Sequence, residues 1–137
     1  MRLTLGTVLL CLCAMAWSAP SVDLVRVSKS ERKLQLVSSG TVLHEFPIAL
    51  GSHPRGHKTQ EGDGKTPEGV YTLDYKISES AFHKAFHVSY PNAQDVASAK
   101  ARGVNPGGQI MIHGQKNGFG WLAFSPSDLT GRMVVLH

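Results

Sequence analysis

Residues 22–27 read Val-Asp-Leu-Val-Arg-Val, an alternation of apolar and polar side chains that is typical of a β-strand with one buried face. Residues 33–37, Lys-Leu-Gln-Leu-Val, repeat the pattern, and residues 41–50 are rich in β-formers. Residues 28–32 are polar and charged, while residues 38–40, Ser-Ser-Gly, place a glycine where a tight turn often needs a positive φ. The sequence therefore predicts an antiparallel meander of three strands and a mainly β fold.

The rest of the chain combines one long loop with shorter elements. Residues 51–69 hold five glycines and two prolines without apolar periodicity, which indicates a loop, and loops of this length are often functional. Residues 70–77 and 110–112 have strand character, and the Ala-rich residues 94–102 predict a short helix that ends at Gly103. A length of 137 residues suits a single domain.

The N-terminal residues 1–18 have the order of a secretory signal. Arg2 precedes an apolar run that ends at Trp17, and the small residues Ser18 and Ala19 follow. The apolar run is shorter than the roughly 20 residues needed to cross a bilayer, so we expect a cleaved signal and no stable membrane span. The mature domain is then expected outside the cytoplasm, secreted or periplasmic.

Both cysteines, Cys11 and Cys13, lie inside the predicted signal. Cleavage would leave a mature chain with neither a disulfide nor a thiol. It would also lower the formal charge from +4 to +3, because Arg2 is the only charged residue of the segment. The remaining basic residues are dispersed rather than clustered with aromatic ones, which argues against a nucleic-acid partner.

Three local motifs suggest chemistries that their surroundings do not support. Residues 64–66, Gly-Lys-Thr, resemble a phosphate loop, but Thr59 stands where that motif requires glycine. His83 and His87 have the spacing of a zinc pair on one helix face, yet no glutamate or defined third ligand accompanies them. Ser125 lacks the flanking glycines of a hydrolase nucleophile. We therefore expect no nucleotide, no metal and no other cofactor.

His113 follows the apolar residues 110–112 and precedes Gly114, so a strand presents it at its end. An imidazole in this position is a candidate general base, although acyl transfer also needs a thiol or hydroxyl within hydrogen-bond reach. The alternative is a histidine that is partly buried and simply satisfied by its neighbours. The surrounding phrases favour the first interpretation.

Four phrases occur in order along the chain. They are Phe-Pro-Ile-Ala-Leu-Gly at 46–51, Gly-Asp-Gly-Lys-Thr-Pro-Glu-Gly-Val-Tyr at 62–71, Ser-Tyr-Pro-Asn at 89–92 and Ile-Met-Ile-His-Gly at 110–114. Together they resemble the L,D-transpeptidase (YkuD-type) catalytic domain of bacterial cell-wall enzymes, and most closely its Gram-negative periplasmic branch. The resemblance covers roughly residues 22–124.

The resemblance implies an L,D-transpeptidase-like β-sandwich with short helices, located in the periplasm or secreted. It also implies a transferase whose cysteine attacks a carbonyl of a peptidoglycan stem peptide, forms a thioester and passes the acyl group to an amine or to water, without a metal or cofactor. The residues that the resemblance assigns to the site are His113 as base, Gly114 beside it, and Lys65, Thr66, Tyr90 and Gly108 in the substrate groove.

The departure from the family lies in the last part of the chain. The family places its cysteine downstream of the matching histidine, in a Thr-x-Gly-Cys or Ser-x-Gly-Cys phrase often preceded by Asp-Trp, but no cysteine follows Cys13 here. One allowed coding of residues 127–137, read two bases later, gives Arg-Phe-Asp-Trp-Thr-Asp-Gly-Cys-Ile-Ala. We hypothesise that a frameshift near residues 124–126 replaced the nucleophile segment.

This hypothesis divides the chain into the signal at 1–18, an incomplete catalytic domain at 19–124 and an atypical tail at 125–137. The apolar residues 133–136 of the tail either pair with a vacated strand position or stay loose. The expected function is L,D-transpeptidase-type acyl transfer in cell-wall biogenesis and cell shape, with the nucleophile absent. The alternatives are hydrolysis of peptidoglycan or protein–peptidoglycan cross-links by the same chemistry, and a catalytically dead peptidoglycan-binding domain.

Overall fold

The computed structural model describes residues 21–80, 83–114 and 132–136, which form seven strands and one α-helix. The elements in chain order are β1 (Leu24–Ser28), β2 (Lys33–Ser38), β3 (Thr41–Pro47), β4 (Gly69–Ser80), β5 (His83–Val88), α1 (Ala93–Ala101), β6 (Met111–His113) and β7 (Arg132–Leu136). The strands lie side by side in the order β3-β2-β1-β7-β4-β5-β6. The predicted mainly β fold is confirmed. The predicted signal and Ser125 lie outside the described residues.

The first three strands form the predicted antiparallel meander. Val25 on β1 pairs with Leu36 on β2, and β2 pairs with β3. Ser39 and Gly40 connect β2 to β3 with φ values of 47° and 82°, so both turn residues adopt the left-handed conformation that suits the twist of a tight hairpin. The third strand ends at Pro47, three residues earlier than predicted, because proline has no amide hydrogen with which to extend the ladder.

Strand β4 joins two parts of the sheet. Residues 69–72 pair with β7, whereas the pairs with β5 begin at Leu73. The register shifts between Leu73 and Tyr75, so one extra residue of β4 is inserted there, and a bulge of this kind bends a strand. A bent strand can leave one sheet and enter the next, which is how β4 connects β3-β2-β1-β7 to β5-β6.

The tail contributes a strand to the middle of the sheet. In β7, Met133 pairs with Val25 in parallel and with Tyr71 in antiparallel orientation. Met133 and Val135 are only 3% and 2% exposed. Of the two outcomes expected for residues 133–136, the structure therefore has the paired one. Residues 125–131 and residue 137 of the tail lie outside the described part.

A single apolar core lies on one face of the strands. On β1 and β7 it is built from alternate residues, because successive side chains of a strand point to opposite faces. The buried members of this core are Val25, Val27, Leu34, Leu36, Tyr71, Leu73, Phe86, Val88, Tyr90, Met133 and Val135. The opposite face of β4, β5 and β6 carries Tyr75 and Ile77, which are 45% and 38% exposed.

Strand β5 was not predicted from the sequence. Its apolar residues Ala85 and Phe86 are adjacent in the sequence, and both are buried. They therefore interrupt the alternation of apolar and polar residues that would have indicated a strand. Because β5 is extended, His83 and His87 are separated by about 13 Å of backbone, so the helical spacing considered for zinc does not occur.

The one described helix lies within one residue of its predicted bounds. Asn92 caps it by accepting from the amides of Gln94 and Asp95, and the Asp95 carboxylate accepts in return from the Asn92 amide. The helix stops before Gly103, whose φ is 67°. In the described part of the chain, no helix has the length and hydropathy that crossing a membrane would need.

Candidate active site

His113 and Gly114 lie at the end of β6, the last strand of the sheet order. His113 pairs with Ala85 of β5, and its side chain is exposed. Its Nδ1 lies 2.8 Å from the carbonyl oxygen of Gly114. Since a carbonyl oxygen only accepts, Nδ1 carries the hydrogen, and in the neutral ring the lone pair is on Nε2. This tautomer is the one that a general base acting through Nε2 requires.

Tyr90 and Gly108 lie next to each other at the opposite end of the β6 segment. A Cβ atom on Gly108 would stand 3.9 Å from the carbonyl oxygen of Tyr90, and the Tyr90 hydroxyl donates to the carbonyl of Pro106 over 3.0 Å. Burial, followed by the charge of Asp95, raises the pKa of Tyr90 to about 12. The hydroxyl therefore stays protonated at neutral pH and acts as a donor.

The six assigned site residues thus fall into separate groups. Gly108 and His113 are five residues apart, which corresponds to at most about 17 Å of extended chain. The amide of Val88 donates to the carbonyl of Ile110, so the β5–β6 pairing starts near Tyr90 and runs away from it towards His113. The structure brings Tyr90 and Gly108 together before β6 begins and places His113 and Gly114 where β6 ends.

Lys65 lies in the loop between β3 and β4, and its amide is held by Asp63. The Asp63 carboxylate accepts hydrogen bonds from three loop amides, those of Thr59 at 2.8 Å, Gln60 at 3.1 Å and Lys65 at 3.0 Å. Burial alone would raise the pKa of Asp63, but these bonds and the Lys58 ammonium outweigh it and hold that pKa well below its usual range. Asp63 is therefore ionised and fixes the backbone around Lys65.

Lys58 connects this loop to Tyr90. Its Nζ donates to Asp63 over 3.0 Å and to the carbonyl of Gln60 over 2.9 Å, and it lies 6.0 Å from the centre of the Tyr90 ring. Only 6% of Lys58 is exposed. A buried ammonium is tolerated here because acceptors and an aromatic face surround it.

Thr66 is held through its backbone by a second buried lysine. The Nζ of Lys29, in the turn after β1, donates to the carbonyls of Gly56 at 2.7 Å and Thr66 at 3.0 Å and to the carboxylate of Glu68 at 2.7 Å. These three acceptors match the three hydrogens of an ammonium group. Lys29 thereby ties both arms of the loop to the meander.

His57 links the same loop to helix α1. Its Nδ1 accepts from the Glu68 amide over 2.9 Å, so Nε2 carries the hydrogen and donates to Asp95 over 3.0 Å. The other oxygen of Asp95 accepts from the hydroxyl of Tyr71 at 3.1 Å and the amide of Asn92 at 3.0 Å. Burial, and then the charge of Asp95, hold the pKa of Tyr71 above its usual value.

The two arms of the loop also touch directly. The His53 amide donates to the carbonyl of Gly64 over 3.0 Å, and a Cβ atom on Gly51 would overlap that same carbonyl oxygen. Gly64 itself has a φ of 67°, and a Cβ there would meet the side chains of Ser52 and His53. The long loop is therefore an ordered, cross-bonded segment.

The buried polar groups that order this loop were missed by the sequence analysis. Lys29, Lys58 and His57 lie in polar stretches that give no local sign of burial. Asp95 did carry a signal, because Asn92 and Asp95 have the spacing of a helix N-cap and its partner three residues on. Asp63 stands inside one of the four phrases, yet only the folded loop shows what it binds.

The described residues supply no thiol to His113, since both cysteines lie among residues 1–20. Strand β7 is three positions away from β6 in the sheet order, so it does not pair with the strand that carries His113. Over the ranges that the structure describes, no three His, Cys, Asp or Glu side chains are grouped closely enough to hold a metal ion.

Comparison with known proteins gives a matching family model and similar proteins. Residues 23–132 match the family model of the L,D-transpeptidase catalytic domain, YkuD. YafK of Escherichia coli K12, assigned as an L,D-transpeptidase, is 34% identical over 96 residues, which are 66% of this chain and 37% of that protein. The crystal structure of Pgp2 from Campylobacter jejuni, a helical cell shape determining protein, superposes with a TM-score of 0.61 at 25% identity. That superposition covers 85% of this chain and 48% of the other, so this chain spans half or less of these relatives.

Proposed function

Because the chain belongs to the L,D-transpeptidase catalytic domain family, a family of transferase-type enzymes, we propose that its domain recognises peptidoglycan stem peptides with His113 as the base of an acyl-transfer site. The observation that carries the proposal is the family match over residues 23–132, which includes β1 to β6 and therefore both His113 and the ordered loop. The Campylobacter neighbour is named for cell shape, which supports a role in cell-wall biogenesis outside the cytoplasm.

In the proposed chemistry, Nε2 of His113 takes the proton of a cysteine thiol, and the sulfur attacks a carbonyl carbon of the stem peptide. The peptide C–N bond then breaks, and the leaving amine receives the proton. An acceptor amine attacks the thioester, the C–S bond breaks and the thiol is regenerated. Backbone amides would stabilise the oxyanion at both stages. The hydrogen bond from Nδ1 of His113 to Gly114 supports this role, because it fixes the required tautomer.

For substrate recognition, we propose Lys65, Thr66, Tyr90 and Gly108. Support comes from the way the loop is held: Asp63 fixes the amide of Lys65, and Lys29 fixes the carbonyl of Thr66. Such bonds keep the groove in one conformation before a peptide binds, which reduces the entropy lost on binding.

The nucleophile is the part that this chain lacks, since no cysteine follows Cys13. The proposed chemistry needs a thiol downstream of His113, and the printed sequence has none there, so we propose that the chain as given binds stem peptides and does not turn them over. The frameshift hypothesis accounts for the loss, because one allowed coding of residues 127–137, read two bases later, contains Asp-Trp-Thr-Asp-Gly-Cys. The nucleotide sequence tests that hypothesis directly: a shifted frame that does not encode Gly-Cys rejects it.

Binding without turnover is tested with the purified full chain and a disaccharide tetrapeptide from peptidoglycan as the probe. We expect saturable binding by calorimetry, weakened by Lys65→Ala and unchanged by the control Lys33→Ala on the exposed face of β2. Mass spectrometry should find no acyl adduct and no new peptide product. An adduct or product formed by the unmodified chain would show that the missing-nucleophile proposal is wrong.

The base role of His113 is tested in a variant that carries Arg-Phe-Asp-Trp-Thr-Asp-Gly-Cys-Ile-Ala in place of residues 122–131, a replacement of equal length that leaves β7 in the chain. We expect an acyl adduct that disappears both in the matched Cys→Ser form and after His113→Ala. A folded variant that binds the tetrapeptide but forms no adduct contradicts the proposed chemistry. Release of a free acid rather than an amide product would identify water as the acceptor and the hydrolase alternative as correct.

A further inference from the structure

The side chain of Lys65 runs alongside the first part of the loop between β3 and β4. The backbone nitrogen of Lys65 is 3.6 Å from the position that a Cβ atom on Gly51 would take, and its Nζ is 3.6 Å from the corresponding position on Gly56. Lys65 therefore spans the segment from Gly51 to Gly56, and its ammonium group lies beside the residue that follows Arg55. Two cations, Arg55 and Lys65, belong to the same end of this segment.

The segment that Lys65 spans also lines a cavity. The cavity has a volume of about 260 Å³, and the residues that line it are Ser52, His53, Pro54 and Arg55. Since Ser52, His53 and Arg55 are exposed, the space is accessible from solvent. One water molecule accounts for about 30 Å³ of the liquid, so the cavity is large enough for a small charged group and its hydrating waters.

The backbone on both sides of the cavity is held in place. The carbonyl of Gly64 accepts from an amide of the opposite arm of the loop over 3.0 Å, and the carbonyl of Gly56 accepts from the buried Nζ of Lys29 over 2.7 Å. Lys65 directly follows Gly64, and Arg55 directly precedes Gly56. Both cations therefore extend from backbone that is fixed before any ligand binds, which reduces the entropy lost on binding.

The carboxylates of this loop do not neutralise the two cations. Residues 51–69 contain three carboxylates, and the side chains that donate to them are Lys58 for Asp63, Lys29 for Glu68 and Asn105 for Glu61. Among the residues that the structure describes, neither Arg55 nor Lys65 makes a hydrogen bond or an ion pair through its side chain. Two cations without partners beside an open cavity produce a positive potential that attracts an anion.

We propose that Arg55 and Lys65 bind a carboxylate of the stem peptide at this cavity. The inference rests on the stem-peptide recognition proposed above, and it adds the chemical group that the loop recognises and Arg55 as a further binding residue. The planar guanidinium of Arg55 presents two parallel N–H groups that match the two oxygens of a carboxylate. The ammonium of Lys65 donates a further charge-assisted hydrogen bond.

This recognition distinguishes a carboxylate from a carboxamide of nearly the same shape. A carboxamide carries no charge, and its nitrogen donates hydrogen bonds instead of accepting them. It cannot accept from both N–H groups of a guanidinium in the parallel arrangement. Replacing the carboxylates of the ligand by carboxamides therefore removes the interaction without changing the protein.

The test is calorimetric titration of the full chain with two probes, the disaccharide tetrapeptide and the same molecule with all its carboxylates converted to carboxamides. We expect the carboxamide form to bind about tenfold more weakly, because it lacks charge-assisted hydrogen bonds to two cations. Added NaCl should weaken the binding of the first probe and hardly change that of the second, since salt screens exposed charges. This comparison needs no substitution, so it does not depend on the folding of a variant.

Two variants then locate the interaction. Arg55→Gln and Lys65→Gln should each weaken binding of the carboxylate probe by about fivefold, and the double variant should bind both probes equally. Lys33→Gln is the matched control, because it removes one positive charge at an exposed ion pair with Glu45 and should leave both affinities unchanged.

Three results would overturn the inference. Equal affinity of the unmodified chain for the two probes overturns it and leaves the proposed stem-peptide recognition standing. A preference for the carboxylate probe that persists in the folded double variant overturns it as well, because the carboxylate then binds elsewhere. If neither probe binds, the proposed recognition of stem peptides is itself wrong, and the inference falls with it.

Discussion

At the scale of single residues, Lys29 and Lys58 are the cations on which the order of the long loop depends. Each is at most 6% exposed, and each donates to at least one carboxylate and one backbone carbonyl. No buried side-chain nitrogen or oxygen among the described residues lacks a hydrogen-bond partner. Removing one member of such a cluster leaves the other charge buried without compensation, which costs more than the intact cluster contributes.

Asp63 gives a prediction about pH. Its pKa is lower in the folded protein than in the unfolded chain, so its contribution to stability is complete above the ordinary value near 3.8 and is lost as the pH falls through the folded pKa. We expect Asp63→Asn to reduce the free energy of unfolding by about 3 kcal/mol at pH 7, because Lys58 stays buried and unpaired. The difference from wild type should shrink below pH 4.

Urea unfolding at pH 7, 5 and 3 measures this difference. The control is Glu45→Gln, which breaks the solvent-exposed pair with Lys33 and should change stability far less, since water screens that pair. A destabilisation by Asp63→Asn that is the same at pH 3 and pH 7 would contradict the assignment.

Lys29→Met tests the anchor between the meander and the loop. The substitution keeps the aliphatic stem but removes the ammonium that holds Gly56, Thr66 and Glu68. We expect a loss of about 3–5 kcal/mol in the free energy of unfolding and faster proteolysis within residues 51–68. Lys33→Met is the matched control at an exposed ion pair, and comparable cleavage of both variants would show that Lys29 does not order the loop.

At the scale of elements, the loop between β3 and β4 depends on glycines where its two arms meet. Gly51 has no side chain to keep the carbonyl of Gly64 away, and the His53 amide bonds to that carbonyl. The N-terminus of α1 supports the same loop, since Asp95 binds His57. A loop of this kind is ordered by contacts along its whole length rather than by its own sequence.

Gly51→Ala should therefore destabilise the protein by about 1–3 kcal/mol, because the added methyl group overlaps backbone that cannot rotate away. The matched control is Gly108→Ala, whose Cβ would make only ordinary contacts of 3.9 and 4.0 Å. Thermal unfolding of the two variants measures the contrast. Equal melting temperatures would mean that the two arms can separate at little cost.

At the scale of the whole molecule, β7 holds the sheet together. It lies between β1 and β4, pairing with both, and its inward side chains fill the core. Without β7 the meander and the β4-β5-β6 part would share no ladder in the described residues. Strand β7 therefore has a structural role whether or not the chain carries a cysteine nucleophile.

Met133→Ala should lower the free energy of unfolding by about 2–5 kcal/mol, as expected for a buried methionine replaced in a close-packed core. Leu136→Ala on the same strand is the control, because that side chain is 46% exposed and should matter little. Urea unfolding followed by circular dichroism provides the measurement. An equal effect at both positions would indicate that β7 is not packed as described.

The sequence alone was sufficient to predict the three-stranded meander, the helix and the family. Alternation in residues 22–27 and 33–37 is a local property of one chain segment, and so is the Ala-rich run that became α1. The four phrases also lie within short windows, and their order indicated the L,D-transpeptidase family. The family model that matches residues 23–132 confirms it. The role of His113 as a base stays a prediction, because it depends on a nucleophile that no local pattern of this sequence contains.

Only the tertiary structure decided where the parts meet. The place of β7 depends on pairings with β4 across at least 60 residues and with β1 across more than 100, which no local pattern encodes. The burial of Lys29 and Lys58 follows from the loop folding over them, and the pairing of His113 with Ala85 follows from the register of two strands. Local sequence specifies which elements form, whereas register and long-range packing determine which side chains meet.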